Sequence, residues 1–157
     1  REQLLLTPEE YTKVMTTDLG RNIIIIPIAS PTQAVAKANR YAKIISGPKD
    51  KIYAVHVYSD DERGKKINTL WRQLEPDLEL ILRQSPYRQL TDPLITFIQE
   101  LRKETAPKDT ITVLIPEFET KKLWHRLLHN QSGWLLRLRT LPYLDVVVST
   151  VPLQFTK

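Results

Sequence analysis

The chain has 157 residues, a formal charge of +5 and no cysteine. That length fits one ordinary domain able to bury a core unaided, and the missing cysteine excludes a disulfide framework, thiolate metal sites and a thiol nucleophile. No apolar run approaches the roughly 18 to 20 residues of a membrane span and no signal-peptide pattern opens the chain, so a soluble unit is expected. Residues 1–20 hold two basic groups, Arg1 and Lys13, against four acidic ones, Glu2, Glu9, Glu10 and Asp18, which leaves +7 on the remainder. A basic body favours anionic partners, while 8% aromatic content leaves little for a single-strand stacking platform. The chain opens on Arg1 rather than Met, the pattern expected of a piece of a longer protein. Residues 1–20 are read as a leading helix or linker from an upstream region, and 21–157 as the domain.

After the leader come five short apolar runs rich in β-branched residues: Asn22 to Ile28, Ile52 to Tyr58, Leu78 to Leu82, Ile111 to Ile115 and Asp145 to Val151. Runs such as Ile23-Ile24-Ile25-Ile26 and Val146-Val147-Val148 do not alternate with polar residues, as expected of strands covered on both faces. Between the first two runs, Ala34, Val35, Ala38, Tyr41, Ala42 and Ile45 recur at helical spacing. Ser30 is the expected N-cap of that helix, with Pro31 at N1, Gln33 closing a capping box and Gly47-Pro48 as the stop. A second helix is expected from a Ser59/Glu62 capping box, with Ile67, Leu70, Trp71 and Leu74 on one face and Pro76 as its end. A third buries Leu94, Ile95, Ile98 and Leu101, starts near Pro86 or Pro93, and is closed by Pro107. Strands alternating with crossover helices predict an open, doubly wound parallel α/β sheet. Ligands of such sheets sit outside the carboxyl ends of the strands, where strand order reverses. The candidate loops are then 28–32, 58–60, 85–88 and the segment from Pro116 onward.

Segment 121–139 carries Lys121, Lys122, Arg126, Arg137 and Arg139, two histidines and no acid. Two short helices are expected there, broken at "HNQSG". Asn130 or Ser132 can cap the second, and its free N–H groups and positive dipole end would offer an anion site; a cap with no ligand is the alternative. His125 and His129 lie four apart, but the break and the lack of a neighbouring carboxylate argue against a metal site. His56, inside an apolar run, reads as a hydrogen-bonded core or interface histidine. Arg88 in "SPYR" is either a bidentate phosphate donor at the end of strand three or a solvated surface side chain. With four glycines in the chain, no Walker loop, no dinucleotide fingerprint and no Ser-His-Asp order, no catalytic residue is assigned and no enzyme activity is expected.

The leader followed by "IIIIPIAS", "YAVHV", "SPYR", "ITVLIPEF", "LHNQ" and "DVVVSTVP" resembles the universal stress protein fold. It is more closely similar to the cytoplasmic carboxy-terminal domain of KimA-type potassium importers, of the KUP group in the amino acid-polyamine-organocation superfamily. The resemblance, which runs from about Asn22 to the end, implies a Rossmann-like sheet of order 3-2-1-4-5. Nucleotide-binding universal stress proteins place an aspartate where this chain has Ala29, and glycines where it has Pro116 and His129-Asn130, so the ATP pattern is broken. The importer resemblance implies instead a homodimer, joined to a transmembrane transporter domain upstream in a bacterial cell membrane, that receives cyclic di-AMP and inhibits potassium uptake; the universal stress resemblance implies pairing through the last strand, Asp145 to Val151. It implies no other cofactor, no metal and no nucleic-acid partner. Adenine is expected against Ile28, Ala29 and Val57, and phosphate or ribose near Ser30, Thr32, Arg88, Pro116, His129, Asn130, Gln131 and Ser132. The alternatives are a dimerisation scaffold with a decayed pocket, or a generic AMP or ATP sensor.

Overall fold

A computed structural model describes residues 5–85, 91–116 and 144–152. The order of elements is α1 (Pro8–Thr16), β1 (Asn22–Ile28), α2 (Gln33–Ile45), β2 (Lys51–Tyr58), α3 (Asp61–Leu74), β3 (Glu79–Gln84), α4 (Thr91–Glu104), β4 (Thr110–Pro116) and β5 (Val146–Val151). The five strands form one all-parallel sheet in the order β3-β2-β1-β4-β5, the expected Rossmann-like α/β architecture. Long crossover connections are required because parallel neighbours cannot be joined by a tight turn, and α2, α3 and α4 supply three of them.

The unbroken isoleucine run of β1 is explained by cover on both faces. Ile23 and Ile25 join Val55, Val57, Val113 and the α4 residues Leu94, Ile95, Phe97, Ile98 and Leu101 in one cluster. Ile24, Ile26 and Ile28 join Ala54, Leu114, Trp71 of α3 and the α2 residues Val35, Ala38 and Ala42 in another. Successive strand side chains point to opposite faces, so each isoleucine is used. The Trp71 indole N–H, buried with it, donates to Leu78 O at 2.9 Å.

Several expectations are corrected. The N-cap of α2 is Thr32, whose hydroxyl accepts from Val35 N, and not Ser30; that of α3 is Asp60, accepting from Glu62 N, and not Ser59. In both places two capping-type residues stand close together, and the path of the chain off the preceding strand decides which can turn back onto the first helical N–H. Helix α4 starts at Thr91, which puts Pro93 in its first turn, where a missing N–H costs nothing. Strand β3 runs to Gln84, two residues beyond the expected Leu82, and is anchored by Ser85 N donating to Tyr58 O. Tyr41, Ile45, Leu70 and Leu74, expected in the core, are exposed at 42%, 39%, 41% and 56%. The inner faces of α2 and α3 are narrower than their apolar content. Nor is β5 covered on both sides: it lies at the sheet edge with Val147 and Val148 exposed.

Candidate functional site

The carboxyl edge of the sheet gathers the ends of β1, β2 and β3 and the starts of α2 and α3. Ile28, the last residue of β1, pairs with His56 of β2, and His56 with Leu82 of β3. His56 is buried, and its Nδ1 lies 3.1 Å from Ile28 O, so Nδ1 carries the proton and donates to that carbonyl. Its Nε2 is a buried acceptor with no partner among the described residues. Burial pushes the imidazole pKa down from its ordinary 6.5; the bond to Ile28 O opposes this and the charge of Arg63 adds to it. The ring is therefore neutral at physiological pH, a polar element of the core as its place in an apolar strand suggests. Tyr58 stacks beside it at 6.4 Å between centroids. Tyr58 in turn lies against Gly64 of α3, where a Cβ would meet the ring at 3.0 Å. Glycine at 64 thus lets the first turn of α3 close over the end of β2.

The two helix N-termini at this edge differ electrostatically. The first turn of α3 contains Asp61 and Glu62 and is capped by Asp60, so its positive dipole end is already met by carboxylates. The first turn of α2 holds no acid, and its cap is the neutral Thr32. An anion approaching this edge meets an uncompensated field at α2 alone of the two.

The expected ligand residues fall into four groups. Ile28, Ala29, Ser30 and Thr32 lie together on the β1–α2 connection, with Ile28 and Ala29 buried and Ser30 and Thr32 half-buried. Val57 packs in the α4-side cluster and Ile28 in the α2-side cluster, so the two side chains face opposite layers and one ring can touch both only from the carboxyl edge itself. Pro116 is buried at the end of β4 opposite Val151. Arg88, His129, Asn130, Gln131 and Ser132 lie outside the described residues, as do the two helices expected over 121–139. Sequence reasoning placed Ser85 in a candidate loop without foreseeing its burial, and missed the Tyr58–Gly64 contact, whose signal was a glycine inside a helix. An open recess of about 330 Å³ lined by Lys65, Lys66, Thr69, Leu70 and Gln73 lies on the outer face of α3 and involves none of the strand-end residues. Among the described residues no group of three His, Cys, Asp or Glu side chains could hold a metal ion. No helix among them is long and apolar enough to cross a membrane.

An all-parallel sheet of order 3-2-1-4-5, flanked by helices whose N-termini gather at its carboxyl edge, defines a Rossmann-like α/β domain. Residues 20–153 match the family model for the KimA potassium transporter C-terminal domain, and the chain belongs to that family. It is 36% identical over 157 residues to potassium transporter KimA of Bacillus subtilis (strain 168), an alignment covering 99% of this chain and 24% of that protein. The chain thus spans about a quarter of the length of the curated relative it matches.

Proposed function

We propose that the chain is the regulatory cytoplasmic domain of a potassium importer, that it binds cyclic di-AMP at or near a homodimer interface, and that binding inhibits potassium uptake. The observation that carries this reading is membership of the KimA potassium transporter C-terminal domain family across nearly the whole chain. Two features support it. The acid-free N-terminus of α2 offers a place for a phosphate at the carboxyl edge. Strand β5 pairs with β4 on one side and exposes Val147 and Val148, as a seam between two copies requires. A symmetric dinucleotide suits an isologous dimer, each copy taking one half. The ligand acts only through unequal affinity for two states of the transporter, favouring the one in which uptake stops.

A second reading, a dimerisation scaffold with a decayed pocket, is favoured by Ala29 and Pro116, both buried and apolar where nucleotide-binding relatives of the universal stress type need an aspartate and a glycine. Isothermal titration calorimetry with cyclic di-AMP, against ATP, AMP and cyclic di-GMP, separates the two. The receptor reading expects selective heat at one cyclic dinucleotide per two chains. A dimeric mass with no heat and no melting shift from any of the four leaves the scaffold. Replacing Asn130 and Gln131 together by Ala should lower cyclic di-AMP affinity about tenfold while moving the melting temperature little; equal loss of both reduces that turn to a helix cap.

A further inference from the structure

Helix α1 is helical without being packed. None of its nine residues is buried. Tyr11, Val14 and Met15, three and four apart, form a stripe more than half exposed, and Leu5, Leu6 and Leu19 flank it equally exposed. Its start is well made: Thr7 accepts from Glu10 N, Glu10 accepts in return from Thr7 N, and Pro8 opens the helix. Capping alone does not sustain so short a helix, since isolated helices below about 12 to 15 residues are marginal in water. The stripe calls for a cover.

Among the described residues no other element buries it. The chain leaves α1 through Gly20, whose φ of 72° and contact with Lys108 O, 2.5 Å from where a Cβ would stand, fix the exit direction. Asp18 reinforces the joint, accepting from Gly20 N at 3.0 Å and from the Lys108 ammonium.

A matching surface lies on α2. Lys37, Arg40, Tyr41, Ile44 and Ile45 share one exposed strip of that helix, with Ile44 69% exposed. The helix contains Lys37, Arg40 and Lys43 and no acid, whereas α1 opens with Glu9 and Glu10. Lys43 is taken by Glu75 at 2.7 Å, but Lys37 and Arg40 have no ion pair among the described residues. Among the described residues one helix is apolar and acidic with no residue buried, and the other presents an apolar and basic strip that is left exposed. Helix α2 also contacts β5, and Asn39 and Lys43 on its far flank bond to Glu75 at the end of α3. That places Tyr41, Ile44 and Ile45 on the β5 side, next to the proposed seam.

We infer that the partner of α1 is a second copy of this chain: each copy lays Tyr11, Val14 and Met15 on the Tyr41/Ile44/Ile45 strip of the other, with Glu9 and Glu10 toward Lys37 and Arg40. The exchange is reciprocal and therefore closes at two copies. It rests on the homodimer proposed above but not on the ligand.

The chain has no cysteine, so paired single cysteines report the contact directly. Val14→Cys and Ile44→Cys chains carrying different tags are mixed and treated with a short bismaleimide. The expected product links the two tags, and Ile44→Glu, at an exposed position, weakens the dimer about tenfold in sedimentation. A Val148→Cys chain cross-linking to itself serves as a control for the β5 seam. Cross-linking of that control with none between residues 14 and 44 overturns the exchange and leaves the dimer standing. A Val14→Cys/Ile44→Cys double variant closing within single chains overturns it in favour of intramolecular docking. A monomeric mass at all concentrations removes the exchange and the dimer together.

Discussion

The amino edge and the carboxyl edge of the sheet are built on opposite terms. At the amino edge polar groups are tied to one another: Asp109 accepts from Arg21 N, Arg21 Nε and Ala106 N, and Arg102 donates to Asp109 O and Leu144 O. Asp50 accepts from Asn22 N, and Thr112 donates to the Asn22 side chain. These bonds join the start of β1, the α4–β4 turn and the entry to β5 into one knot where the leader comes in. At the carboxyl edge Nε2 of His56 is buried without a partner among the described residues, and the first turn of α2 has no acid. Among the described residues one end of the strands is closed on itself, and the other keeps unmet hydrogen-bonding and charge capacity at the edge where parallel sheets generally bind ligands.

The largest effect should come from cutting the knot. Arg102→Met keeps the aliphatic stem but leaves the Leu144 and Asp109 carbonyls without their donor, and should cost about 3 kcal/mol in urea unfolding. Gly20→Ala forces a side chain into a left-handed backbone against Lys108 O and should cost about 2 kcal/mol, again with no direct effect at the carboxyl edge. A third test is the pH dependence of unfolding at His56. Burial holds its pKa below 6.5, so the folded chain binds fewer protons than the unfolded one, and stability is present above 6.5 and lost as pH falls below it. His56→Leu should flatten that slope when melts at about pH 7.5 and 5.5 are compared; an unchanged slope would place the acid sensitivity elsewhere. The smallest change is Gln33→Glu, which puts an acid in the first turn of α2. It should stabilise the fold by about 0.5 kcal/mol while weakening cyclic di-AMP, and unweakened binding would move the phosphate away from α2.

What could be read before folding follows from periodicity. The unalternating Ile23–Ile26 run announced a strand covered on two faces, and Leu94, Ile95, Ile98 and Leu101 announced the buried stripe of α4, because burial repeats with the geometry of each element. The same logic failed at Tyr41, Ile45, Leu70 and Leu74, since an apolar residue at helical spacing says which strip it joins and not how wide a strip the sheet can cover. It failed for β5 too: Val147 and Val148 look like interior residues, yet strand order puts them at an edge. The expected ligand residues come together only in part. The β1–α2 connection does gather Ile28, Ala29, Ser30 and Thr32, but Val57 turns to the other layer, a parity set by register across strands.

The sequence by itself determined the elements and the class of sheet, because local hydrophobic period and turn chemistry are properties of neighbouring residues. Only the tertiary structure decided which of two nearby hydroxyl or carboxylate residues caps α2 and α3, that His56 donates to Ile28 O and leaves Nε2 without a partner among the described residues, and that α1 has no buried residue. The His56 bond joins residues 28 apart in the chain, and the caps and the exposure of α1 follow from the path the assembled sheet gives the chain, which no local pattern encodes.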